Sequence, residues 1–82
     1  MNLSKLKRRA KEYVEIEAKC KVRDVRFAES FSLLGREDVV LSVSTDDAAV
    51  PEWWVVGGDS PMNLYARLGS RTLTKHFPSM LG

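Results

Sequence analysis

Few residues in this chain have the chemistry to attack or transfer anything. The single cysteine, Cys20, and the single histidine, His76, are the only thiol and imidazole. Nucleophilic catalysis by that pair would need the two side chains within hydrogen-bond reach and a third group to orient the base. A lone cysteine permits no intramolecular disulfide and no cysteine-based zinc site. Cys20 is therefore expected to be a small hydrophobe pointing inward, and His76 a surface or half-buried side chain in Thr74-Lys75-His76-Phe77-Pro78. The adjacent carboxylates Glu37-Asp38 and Asp46-Asp47 read as turn residues, because Asp makes local hydrogen bonds in turns. Neither pair has the spacing of a calcium loop. Gly57-Gly58-Asp59-Ser60-Pro61 has the outline of a phosphate-binding turn, but it lacks the lysine that a P-loop requires, and Asp59 would repel an anion. No catalytic residue, metal ligand or cofactor is expected.

Two constellations remain that could bind rather than react. The first is basic. Lys5, Lys7, Arg8, Arg9 and Lys11 lie close together, and Lys19, Lys21 and Arg23 follow. Residues 1–26 hold nine Lys/Arg against four Asp/Glu, and residues 27–82 hold four against seven, so a +5 end joins a −3 remainder. Such a cluster suits phosphates or an acidic protein, and it equally serves as a solvated face that keeps a domain dispersed. The second is Trp53-Trp54. On a strand these neighbours face opposite ways, so one core cannot take both unless a helix covers the second face. Tryptophan is enriched at binding hot spots, but it also fills small cores.

The elements that must position these residues follow from periodicity. Ser4 can cap a helix over Lys5–Tyr13, with Leu3, Leu6, Ala10 and Tyr13 near one stripe. Val14, Ile16, Ala18, Cys20 and Val22 then alternate with charged residues. That pattern predicts a strand, because a helical wheel would throw Ile16 and Cys20 to the side opposite Val14 and Ala18. The strand would carry Lys19, Lys21 and Arg23 on its outer face. A phase change at Arg23-Asp24 suggests a bulge, and residues 25–34 read as a second strand or a helical turn. Gly35-Arg36-Glu37-Asp38 is expected as a hairpin loop before a strand at Val39–Thr45. A loop through Pro51 and a strand at Trp53–Val56 follow. Ser60-Pro61 resembles an N-cap and first helical residue, with Leu64, Tyr65 and Leu68 on one face and Gly69 at the end. Residues 62–67 as a strand are the alternative. Ser70 would cap a last turn running to Phe77.

With 82 residues, 44% hydrophobic and 29% charged, the chain is expected to form a single domain over 1–82. The expected fold class is α+β: an N-terminal helix, an antiparallel meander of three to four strands, and short C-terminal helical segments. No apolar run is long enough to cross a bilayer and none follows the basic start as a secretory signal would, so a cytoplasmic location and no membrane contact are expected. The functional expectation is a small non-enzymatic protein-binding module, such as an inhibitor, an immunity-like protein, an adaptor or a regulator, with Trp53 and Trp54 at its contact surface. The alternative is a nucleic-acid-binding module using the basic N-terminal helix and first strand, residues 5–11 and 19–26, which salt-dependent binding would distinguish.

Overall fold

A computed structural model describes residues 2–79. One helix, α1 (Leu3–Ala18), precedes five strands: β1 (Val22–Leu33), β2 (Arg36–Thr45), β3 (Glu52–Gly58), β4 (Pro61–Leu68) and β5 (Arg71–Ser79). Every strand pairs antiparallel with its sequence neighbour, in the order β1-β2-β3-β4-β5. The α+β class holds, but the sheet has five strands rather than three or four, and the C-terminal segments are strands rather than helices.

The expected strand at Val14–Val22 is instead the second half of α1 and its exit. Leu6, Ala10 and Val14 recur every four residues and are fully buried, and Ala18 packs at the edge of the same cluster. Extending this stripe gives one docked helix of 16 residues. Stopping at Tyr13 would have left a helix too short to hold itself. The cost is Ile16, which stays 65% exposed. Asn2, not Ser4, caps the helix: its Oδ1 accepts from Lys5 N–H at 3.0 Å. Lys19 ends it in the left-handed region (φ 56°), with its N–H donating to the Glu15 carbonyl at 2.9 Å. Glu15 Oε2 then accepts from Val22 N–H at 3.1 Å, tying the helix end to the first strand. Replacing Val14 by alanine should therefore cost about 2 kcal/mol, as for two buried methyl groups. Ile16→Ala should cost less than about 0.5 kcal/mol. Urea unfolding of the two variants gives the comparison, and equal midpoints would contradict the helical stripe.

The helix covers one face of the sheet. That face receives Val39, Leu41 and Val43 from β2, Trp53 and Val55 from β3, and Met62, Leu64 and Ala66 from β4, all buried. The rows Leu41–Val55–Leu64 and Val43–Trp53–Ala66 run straight across the three central strands. Tyr13 stacks on Phe77 with ring centroids 4.7 Å apart, and Glu17 meets Lys75 at 3.8 Å, so α1 also reaches the β5 side. The period-two burial of Met62, Leu64 and Ala66 is what makes residues 61–68 a strand. Ser60 sits in the turn between β3 and β4, where its hydroxyl donates to Asp38 Oδ2 at 2.9 Å and ties that turn to β2.

Three of the four strand connections are two residues long (34–35, 59–60 and 69–70), and the β2–β3 loop spans 46–51. The expected four-residue loop at 35–38 is a two-residue turn, Leu34-Gly35, with positive φ at both positions (53° and 76°), which is the hairpin geometry that matches strand twist. Gly69, at φ 61°, opens the turn between β4 and β5 rather than ending a helix. Gly57 and Gly58 end β3, and the turn after them is stitched to β2: Asp59 N–H donates to the Glu37 carbonyl (3.2 Å), and Asp59 Oδ2 accepts from Glu37 N–H (3.0 Å). A Cβ at Gly58 would lie 2.7 Å from the Glu37 carbonyl oxygen, a backbone atom that cannot swing away. Gly58→Ala is expected to cost about 1–3 kcal/mol, as overpacking does, read as a lowered urea midpoint; an unchanged midpoint would refute the close approach.

Candidate functional site

The face of the sheet opposite α1 has no element lying on it among the described residues. Alternation sends Trp53 to the helix side, where it is 2% exposed, and Trp54 to the open side, where it is 47% exposed. Trp54 lies on the central strand, directly opposite Ser42 on β2 and Tyr65 on β4. Ser42 in turn faces Arg26, and Tyr65 faces Thr74. The next row reads Glu29–Val40–Val56–Asn63–His76 across all five strands. Trp54, Val56, Val40 and Tyr65 thus make a contiguous apolar centre. Val40, Val56 and Tyr65 are each half-buried.

Polar groups surround that centre. Ser42 Oγ donates to Glu52 Oε1 at 2.6 Å. Arg26 Nε donates to Asp24 Oδ2 at 2.6 Å. This hydrogen bond, with the Arg26 charge, the Val25 backbone N–H and the Lys7 ammonium, holds the Asp24 carboxyl below the usual carboxylate range. His76 Nδ1 meets Asn63 Oδ1. An apolar middle with a satisfied polar rim is the anatomy of a protein contact. Asp24, Glu29 and Glu52 line the same face as Arg26, so it offers no excess of positive charge to phosphate.

The basic residues lie elsewhere. Lys5, Lys7, Arg8, Arg9 and Lys11 belong to the first half of α1, on the helix side of the sheet. Arg8 and Lys11 are exposed, and Lys5, Lys7 and Arg9 are half-buried. The stripe expected from Lys19, Lys21 and Arg23 on one strand face does not form. Lys19 and Lys21 lie in the connection out of the helix, and Arg23 sits at a register shift in β1, 3.4 Å from Asp46. The sheet separates Trp54 from this cluster.

The catalytic candidates are likewise kept apart. Cys20 is half-buried in the turn between α1 and β1, not pointing inward from a strand. His76 lies on β5 and turns to the open face, where it meets Asn63, whereas its neighbours Lys75 and Phe77 meet α1 on the other face. The carboxylate pairs are structural. Asp38 accepts from Ser60 N–H (3.1 Å) and its hydroxyl, and Asp47 Oδ1 accepts from Ala49 N–H (2.8 Å). Thr45 Oγ1 closes the same loop by donating to the Val50 carbonyl (2.8 Å). Among the described residues, no group of three or more His, Cys, Asp or Glu side chains could hold a metal ion, and no helix is long and apolar enough to cross a membrane. A shallow depression of about 410 Å³ beside the first hairpin is lined by Phe31, Leu34, Arg36, Asp38 and Ser60; the Ser60 hydroxyl there donates to Asp38 Oδ2 at 2.9 Å, and no histidine lines it.

Val40, Val56 and Tyr65 do not stand out in the sequence as contact residues. The alternation of 62–66 carries the signal for Tyr65, but the Ser60-Pro61 capping pattern outweighs it. Comparison with protein-family models, with curated proteins and with solved structures finds no match to this chain.

Proposed function

We propose that this chain is a small non-enzymatic protein-binding module, acting in the cytoplasm as an inhibitor, immunity-like protein, adaptor or regulator, and that its contact surface is the helix-free face of the sheet. The observation that carries the reading is Trp54: a tryptophan on the central strand, half exposed, next to Tyr65, on a face with no covering element among the described residues. Burying a tryptophan is worth far more than a surface position gains from one, and hot spots are built from such residues within an apolar centre. Trp53 is a core residue, so the contact role expected of the pair falls to Trp54 alone.

The test is photo-crosslinking in host cells from single sites, which captures a partner whose identity is not known beforehand. A crosslinking side chain at Thr74, on the open face, is expected to trap a discrete protein; the same group at Lys11, on the outer side of α1, is not. Crosslinks from Lys11 only would overturn the assignment of the face.

A second reading keeps nucleic acid as the partner of Lys5, Lys7, Arg8, Arg9 and Lys11. One observation favours it. Lys5 lies in the first turn of a helix with no acidic residue there, where the helix dipole disfavours a positive charge by about 0.3–1 kcal/mol, and Lys7, Arg8, Arg9 and Lys11 follow it directly. A polyanion would offset that. Titration with duplex and single-stranded oligonucleotides should then show affinity falling steeply with salt. No salt-dependent binding at low ionic strength would remove this reading.

A further inference from the structure

We propose that two copies of this chain pair through the last third of β1, edge to edge, around a two-fold axis at Phe31. In a meander the first and last strands are both edges, and an edge strand offers unpaired backbone groups to any other strand unless it is blocked. β5 is blocked by Lys75 and by Pro78, which has no N–H to donate. The first part of β1 is blocked by register shifts between Val22 and Asp24 and between Phe27 and Glu29, and by Arg23, Asp24 and Arg26. Ser30-Phe31-Ser32 has no charge, no proline and no shift, and all three residues are exposed, Phe31 at 41%.

The backbone of this segment is self-complementary in one register. The two-residue turn Leu34-Gly35 makes Leu33–Arg36 the hydrogen-bonded pair that closes the hairpin. Alternation then makes Phe31–Asp38 hydrogen-bonded as well, and turns the N–H and C=O of Ser30 and Ser32 to the open edge. With the axis at Phe31, Ser30 of one copy pairs with Ser32 of the other, and both already present their backbone groups outward. Phe31 faces its own copy in a non-hydrogen-bonded pair, where side chains come closest. Glu29 stands opposite position 33, so no like charges meet. Moving the axis to Ser30 would bring the irregularity at Ala28 into the ladder, and moving it to Ser32 would run the partner into the turn.

Antiparallel pairing by a two-fold places the axis perpendicular to the sheet, so both helices lie on one side and both Trp54 faces on the other. The pairing leaves the Trp54 surface open and does not rest on the proposed function.

Sedimentation of the full chain in a concentration series up to about 1 mM is expected to show reversible dimers. Ser30→Pro removes an outward N–H without touching the β1–β2 ladder, so it should weaken dimerisation at least tenfold, while Ser30→Ala and Trp54→Ala leave it within twofold. In a Cys20→Ser background, Phe31→Cys should form a disulfide-linked dimer on mild oxidation and Glu29→Cys should not; this arm decides if Ser30→Pro fails to fold. A wild-type monomer throughout the series, or crosslinking at position 29 as readily as at 31, would overturn the pairing.

Discussion

Trp53→Ala is expected to lower the unfolding free energy by about 3–5 kcal/mol, the range for truncating a large aromatic in a core that cannot close around the gap. A chain of 82 residues has roughly 4–12 kcal/mol of stability to lose, so this variant sits near the edge of folding. The size follows from position: Trp53 is among the largest fully buried side chains, in the central row Val43–Trp53–Ala66 beneath α1. One detail separates volume from chemistry. The buried Trp53 Nε1 has no hydrogen-bond partner among the described residues. A buried N–H left unpaired costs about 1–3 kcal/mol. Trp53→Phe removes that N–H together with part of the ring, so the two effects oppose and the net loss should stay below about 1.5 kcal/mol. Urea unfolding at matched slopes measures both. If Trp53→Phe proves as damaging as Trp53→Ala, the indole N–H is satisfied and its assignment as a buried cost is wrong. The phenylalanine variant also leaves Trp54 as the sole tryptophan, and iodide should quench its fluorescence readily.

The division of the tryptophan pair was legible in the sequence because it needs only one fact, that neighbouring strand residues face opposite ways. The Val39–Thr45 strand was legible for the same reason: Val39, Leu41 and Val43 share the buried face. The failure at Val14–Val22 has a specific cause. Val14 and Ala18 satisfy a period of two and a spacing of four at once, so the choice depended on what lay upstream. Leu6 and Ala10 continue the four-residue spacing and nothing upstream continues the alternation. Which face stays uncovered was not legible, because it depends on where a single helix docks. The strand at 61–68 was legible only as one of two readings, because the alternation of Met62, Leu64 and Ala66 competed with the Ser60-Pro61 capping pattern, and in the fold Ser60 is engaged by Asp38, 22 residues away. Such long-range hydrogen bonds leave no mark in a local window. The basic stripe failed with the strand that would have carried it.

Trp54→Ala is expected to weaken partner binding by about 2 kcal/mol or more, roughly thirtyfold in Kd, as a hot-spot truncation does. The argument is a comparison of two neighbours with the same side chain. Trp54 is 47% exposed in the isolated chain and its row partners are Ser42 and Tyr65, so its removal leaves the core intact and should cost under about 1 kcal/mol of stability. A loss of binding far larger than the loss of stability therefore cannot come from unfolding. The surrounding groups sharpen the expectation. Glu52 is held by Ser42, and Arg26 is held by Asp24. These rim charges are already paired and exposed, so each should matter little to affinity. Tyr65→Ala should show a smaller loss than Trp54→Ala, because Tyr65 already lies half-buried against its neighbours. The measurement is calorimetric titration of the crosslinked partner with both variants, alongside unfolding curves for each. If Trp54→Ala binds as tightly as the wild type while charge reversal at Arg8 and Lys11 abolishes binding, the working surface is the outer side of α1 and not the open sheet.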